Sequence, residues 1–74
     1  MQQIGECGTI TRIDHGQQRG TIRGEDGRDR HFDREGMIYW LQFDELKPGD
    51  PVRYDVDSTG SAINVEGIDL GRRR

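Results

Sequence analysis

The chain has 74 residues and a net charge of −3, and 30% of its residues are hydrophobic while 34% are charged. This length allows one small domain, which buries roughly 60% of its extended surface and leaves no room for a second core. The single cysteine, Cys7, excludes an internal disulfide and favours a reducing, cytoplasmic compartment. One Cys and two His fall short of the usual structural zinc site, so we expect no metal and no cofactor. No apolar run approaches about 18 residues, so we expect no membrane partner.

The first two predicted strands lie on either side of a polar turn. Strand 1 is predicted at about 6–14, with Ile10 and Ile13 as its apolar anchors. Because these two residues are three positions apart, the strand must bend or bulge to keep both inside. Strand 2 is predicted at about 19–24, with Ile22 directed inward.

An Asp-Gly pair then predicts a hairpin. Asp26-Gly27 is the strongest short hairpin signal in the chain, and it leads into strand 3 at about 29–33. Phe32 is the only large apolar residue of this strand, so we expect it in the core, with His31 on the outer face. A shift of one residue would instead place Phe32 on the outer face.

The second half of the chain predicts one more hairpin after an irregular segment. Residues 35–45 are long and mixed, and are compatible with a short helical turn or an extended loop. Residues 47–50 read Lys-Pro-Gly-Asp, which predicts a type II turn. Strand 4 at about 52–56 alternates strictly, which places Tyr54 in the core, and strand 5 follows at about 62–66.

Five short, evenly spaced strands with Gly-rich turns favour a small barrel over a sandwich at this length. We expect a single domain over residues 1–68 and a flexible, basic tail over residues 69–74. The tail ends in three arginines, which either strengthen polyanion binding or belong to a disordered end.

In order and spacing, these segments resemble the cold-shock domain family over roughly residues 8–66. The resemblance is carried by Gly8-Thr9-Ile10, Gly20-Thr21-Ile22, Asp26-Gly27-Arg28-Asp29, Phe43-x-x-Leu46-x-x-Gly49-x-x-Val52-x-Tyr54-x-Val56 and Ala62-x-Asn64-Val65. It implies an all-β, small five-stranded antiparallel Greek-key barrel (OB-fold, cold-shock-like). It also implies binding of single-stranded RNA or DNA without a cofactor.

The first base-stacking motif of that family is altered here. It normally reads Lys-Gly-Phe-Gly-Phe-Ile, whereas residues 17–22 read Gln-Gln-Arg-Gly-Thr-Ile. Arg19 and Thr21 therefore occupy the two stacking Phe positions, and Arg12 occupies the Trp position of strand 1.

The second motif, normally Val-Phe-Val-His-Phe, aligns with residues 30–34. His31 then takes the first stacking Phe position and Arg34 takes the last. Phe43 matches the Phe of the family's long loop. We expect Phe43 and Trp40 to act either as stacking platforms or as a lid on the barrel, with a core or lid position favoured for Trp40. The candidate contact residues are Arg12, Arg19, Thr21, His31, Arg34 and Phe43.

Replacing aromatics with arginines changes the expected mode of binding. A base–aromatic stack is worth about 1–3 kcal/mol, whereas Arg can stack on bases and contact phosphate. We therefore expect binding that is weaker and more salt-dependent than in aromatic-rich relatives. The same arginines could instead form a solvated sheet face with cross-strand pairs to Asp14, Asp29 or Asp33.

A second hypothesis belongs to a different class. The lost motifs and the net negative charge are compatible with a protein-interaction module or a weak homodimer that kept the barrel but lost the nucleic-acid surface. The apolar run at residues 38–41 would then dock a partner, provided that it is exposed. No spacing of Ser, His, Cys or Asp residues forms a recognisable catalytic motif, so we expect no enzymatic activity.

Overall fold

The computed structural model describes residues 5–68, so the predicted tail at 69–74 lies outside the described residues. The described part is all-β apart from two short 3-10 helices. The elements in chain order are β1 (Glu6–Asp14), β2 (Arg19–Gly24), β3 (Asp29–Asp33), η1 (Arg34–Gly36), η2 (Trp40–Glu45), β4 (Pro51–Val56) and β5 (Ala62–Gly67). Every predicted strand is confirmed to within one residue at each end, and the irregular segment contains two helical turns.

The five strands form one antiparallel sheet in the order β3-β2-β1-β4-β5. A three-strand meander followed by a fourth strand beside the first is a Greek key. The sheet curls strongly, so its two edge strands, β3 and β5, come into contact. Between them, Met37 forms a parallel bridge with Val65, and the Ile38 amide donates to the Val65 carbonyl at 2.9 Å. The segment after η1 thus helps to close a half-barrel.

A bulge in β1 sets the direction of the side chains that follow it. Ile10 pairs with Ile22, but the next paired residue is Arg12, opposite Thr21, which leaves Thr11 as the extra residue. Ile10 is buried and Ile13 packs against the core, as the three-residue spacing predicts. The bulge therefore keeps both isoleucines inside and turns Arg12 to the outer face.

Both predicted turns are confirmed by their backbone geometry. Gly27 has a φ of 85° in the loop between β2 and β3, where the Gly24 amide donates to the Arg28 carbonyl at 2.8 Å. In the turn before β4, Gly49 has a φ of 99°, and the Asp50 amide donates to the Lys47 carbonyl at 3.1 Å. A positive φ at the third turn position is the requirement of a type II turn.

The core lies inside the curled sheet and is covered by the helical segment. It includes Phe32 and Tyr54, as the alternation predicts, so the alternative register of strand 3 is wrong. The buried apolar residues are Ile10, Ile22, Phe32, Met37, Phe43, Leu46, Val52, Tyr54, Ala62 and Val65. Across the described residues, no helix has the length and apolar character needed to cross a membrane.

Candidate nucleic-acid interface

Three of the predicted contact residues form one row across the outer face of β1, β2 and β3. Arg12 on β1 lies opposite Thr21 on β2, and Thr21 lies opposite His31 on β3. The Thr21 hydroxyl is 3.4 Å from Nδ1 of His31. Period-2 alternation explains the direction of Thr21, because the neighbouring Gly20 and Ile22 are directed inward, and the bulge in β1 turns Arg12 to the same face. A guanidinium, a hydroxyl and an imidazole are therefore presented side by side.

Arg19 belongs to the next row along the sheet, between two carboxylates. It pairs with Asp14 on β1 and with Asp33 on β3. The Asp14 carboxylate accepts a hydrogen bond from the Gln17 amide, and the Asp33 carboxylate accepts one from the Gly36 amide, each at 3.0 Å. Both carboxylates therefore cap neighbouring backbone turns.

The cross-strand pairing expected for a solvated face occurs at only one place on these strands. Arg23 and Asp29 form an ion pair, and the hydrogen bond from Arg23 lowers the pKa of the Asp29 carboxyl. The other ion pairs within residues 5–68 involve Arg30 and Arg34, so Arg12 and Arg19 are free of salt bridges to described residues.

The outer face is nevertheless balanced in formal charge. Three arginines and three aspartates lie across the three strands, with His31 among them. The residues concerned are Arg12, Arg19, Arg23, Asp14, Asp29 and Asp33. The face therefore offers localised cations and not a broad positive field, which is expected to limit nonspecific attraction of a polyanion.

A groove of about 730 Å³ runs over this face, and we call it the sheet groove. It is lined by Arg12, Arg19, Thr21 and His31 together with His15 from the first turn. The sheet groove thus brings together four of the six candidate residues.

Close packing below the sheet groove depends on Gly20. A Cβ on Gly20 would lie 2.6 Å from the Arg12 carbonyl oxygen, 2.9 Å from Cδ1 of Ile13 and 3.0 Å from a ring carbon of Phe32. No side chain fits there, so the floor of the sheet groove lies directly on the core.

Phe43, predicted as a contact residue, is wrong as a stacking platform. Its side chain is fully buried, and its ring packs edge-on against Phe32 with centroids 6.2 Å apart. His15 packs against the same ring from the outside, with centroids 5.5 Å apart. A ring enclosed in this way has no face left for a base, so Phe43 supports the groove from below.

The prediction that Arg34 is a contact residue is also wrong. Its side chain is only 13% exposed, and its guanidinium lies 4.7 Å from the centroid of the Trp40 ring and 5.8 Å from that of Phe43. Its Nε donates to the Trp40 carbonyl at 3.1 Å, and Nη2 donates to Asp44 at 3.0 Å. Arg34 therefore holds the loop together, and it is not free to contact a ligand.

The expectation that Trp40 closes the barrel as a lid or core residue is wrong as well. Trp40 is 57% exposed, and Ile38, Tyr39 and Leu41 are exposed beside it. We call these four residues, 38–41, the apolar ledge. Phe43, and not Trp40, is the buried ring of this segment, and the Arg34 guanidinium lies near both rings.

Sequence reasoning missed the Arg34–Trp40 stack and the position of His15. The three-residue spacing of Trp40 and Phe43 matches one turn of a 3-10 helix, and it could have indicated that both rings lie within reach of one side chain, but not which ring is buried. His15 lies in a turn, where strand alternation makes no prediction.

No model of a known protein family matches the chain, and no curated protein matches it.

Proposed function

We propose that this protein binds single-stranded nucleic acid, RNA or DNA, along the sheet groove of a cold-shock-like barrel. The observation that carries the proposal is the juxtaposition of Arg12, Arg19, Thr21 and His31 from three strands around one groove. The order and spacing of the motifs resembling the cold-shock domain support it as well.

The chemistry of these side chains suits a single strand. The guanidiniums of Arg12 and Arg19, which form no ion pair with residues 5–68, can contact phosphates or stack on base planes. The imidazole offers a further flat surface. The hydroxyl of Thr21 and the ring nitrogens of His31 can exchange hydrogen bonds with base edges. Because no Phe, Tyr or Trp ring is exposed on the five described strands, affinity depends more on Arg12 and Arg19 than on stacking in the sheet groove.

Salt dependence gives the direct test. Each phosphate contact to a single strand contributes about −0.7 to the slope of log affinity against log salt. The double variant Arg12→Ala/Arg19→Ala is therefore expected to bind more weakly and to flatten this slope by about 1.4. The measurement is fluorescence anisotropy of labelled pyrimidine-rich and mixed oligomers, RNA and DNA, at several salt concentrations.

A matched control removes the same charge elsewhere. Lys47 and Arg53 are exposed in the second half of the chain, outside the sheet groove. The variant Lys47→Ala/Arg53→Ala is expected to keep the slope of the unaltered protein. Equal slopes for the two double variants, or no saturable binding even at low salt, would contradict the proposal.

A second candidate function is favoured by one observation. The apolar ledge is exposed on a folded barrel, which is the condition for a protein-interaction or self-association module. Sedimentation velocity over a range of protein concentrations tests the version with a second copy of this chain. A monomer at the highest concentration would remove that version.

A further inference from the structure

The indole ring of Trp40 is exposed to a ligand and supported from within. More than half of the residue is accessible, whereas the Arg34 guanidinium that contacts the ring is largely buried. A cation placed against one face of an aromatic ring is an attractive contact that leaves the opposite face free. The ring is thus presented as a platform.

The platform is held in place before any ligand arrives. Arg34 is tied to the Trp40 carbonyl at 3.1 Å and to the Asp44 carboxylate at 3.0 Å, and its guanidinium also lies near Phe43 of the core. These contacts connect the exposed ring to the barrel through one side chain. An ordered ring loses little conformational freedom on binding, which favours affinity.

The platform lies beside the sheet groove. Trp40, Arg34 and Gln18 line a second groove of about 430 Å³. Gln18 directly precedes Arg19, which lines the sheet groove, and the Gln18 carbonyl accepts a hydrogen bond from the Arg34 amide at 2.9 Å. The two grooves therefore adjoin at residues 18–19, where the guanidinium of Arg19 forms no salt bridge to a described residue.

We infer that Trp40 is a base-stacking platform for the single strand, placed at the Arg19 end of the sheet groove. One base stacks on the exposed face of the indole, while the neighbouring phosphates follow Arg19 and Arg12. The inference rests on the proposed function and adds to it the residue that supplies the stacking absent from the strands. Continuity with the cations of the sheet groove favours a nucleic acid over a protein as the occupant.

Trp40 is the single tryptophan of the chain, so its fluorescence reports on this position alone. The experiment titrates the protein with a labelled uridine oligomer and with an abasic oligomer of equal length. Anisotropy of the label follows binding anywhere on the protein, and quenching of tryptophan emission follows stacking on Trp40. We expect quenching over the same concentration range as the anisotropy change, and weaker binding of the abasic oligomer.

Variants separate stacking from general apolar contact. Trp40→Ala is expected to weaken binding about tenfold, the size of one base–aromatic stack, and Trp40→Phe to retain most of the affinity. Leu41→Ala is the matched control, because Leu41 is the adjacent ledge residue, is 67% exposed and has no ring. It is expected to bind as the unaltered protein does. Urea unfolding of each variant verifies that the fold is intact.

The outcomes distinguish this inference from the proposed function. Binding by anisotropy with unchanged tryptophan emission, or equal affinity for the abasic oligomer, would overturn the stacking platform and leave the proposed function standing. Absence of binding in both signals would overturn the two together. A loss of affinity in Leu41→Ala as large as in Trp40→Ala would identify the apolar ledge as a general docking surface and would also overturn the inference.

Discussion

Arg19 and Arg34 carry the same guanidinium group, yet the two regions in which they lie use it in opposite ways. On the outer sheet face, the carboxylates on either side of Arg19 are occupied with backbone amides, and Arg19 is free of salt bridges to described residues. In the helical segment, Arg34 meets a carbonyl, a carboxylate and two rings, and becomes largely buried. The groups around an arginine, and the partners those groups already have, therefore decide whether its guanidinium is left exposed or built into the structure.

The largest expected effect concerns the packing that supports the sheet face. Gly20→Ala is expected to destabilise the protein by about 2–3 kcal/mol, because the new methyl group would overlap the Arg12 carbonyl and the Phe32 ring. Urea denaturation gives the free energy of unfolding. Gly16→Ala is the control, since its Cβ would meet only a carboxylate oxygen of Asp14 at 3.4 Å. Equal stability of the two variants would contradict the prediction, because it would mean that the sheet can accommodate a methyl group at position 20.

Removing each arginine in turn is expected to affect stability to different extents. Arg34→Ala is expected to cost about 1–2 kcal/mol of stability, because it removes an ion pair, a hydrogen bond and a cation–π contact together. Arg19→Ala is expected to stay within about 0.5 kcal/mol of the unaltered protein. Urea denaturation measures both, and a shift in Trp40 emission in Arg34→Ala alone is the local readout. If Arg19→Ala proved the more destabilising change, the division of roles would be reversed.

The smallest expected effect is the pH dependence of the ion pair at the far end of the sheet face. Arg23 lowers the pKa of Asp29 in the folded state, so the pair stabilises the fold above the ordinary carboxyl pKa of about 4. That stability is lost as the pH falls through the lowered folded-state pKa. Asp29→Asn is therefore expected to be slightly destabilising near neutral pH and to have no effect in strong acid.

The control for this titration is the partner residue. In an Arg23→Ala background, Asp29→Asn is expected to change the urea midpoint equally little at every pH, because the cross-strand partner is gone. A pH-dependent difference that survives in this background would assign the effect to another group.

Strand positions and side-chain directions were determined by the sequence. Ile10 and Ile13 predicted the bulge, and Phe32 predicted the register of β3, because a strand buries one face with a period of two residues. Gly27 and Gly49 marked the turns in the sequence, because glycine readily adopts the positive φ angles that both residues have in the structure. Each of these signals is local, since it depends on residues that are close together in the chain. Alternation placed His31 on the outer face, whereas Arg12 and Thr21 were predicted as contact residues from the resemblance, and Arg12 faces outward because of the bulge.

Only the tertiary structure decided which side chains between β3 and β4 are buried and which are exposed. Residues 35–45 have no strand period, so the sequence could not tell which of Trp40 and Phe43 would be buried. The choice depends on contacts between distant parts of the chain: Phe43 meets Phe32 inside the curled sheet, and Arg34 meets Trp40 and Asp44 outside it. Which ring is buried, and whether an arginine finds partners, depend on residues that are neighbours in space. These residues come together only once the sheet has curled.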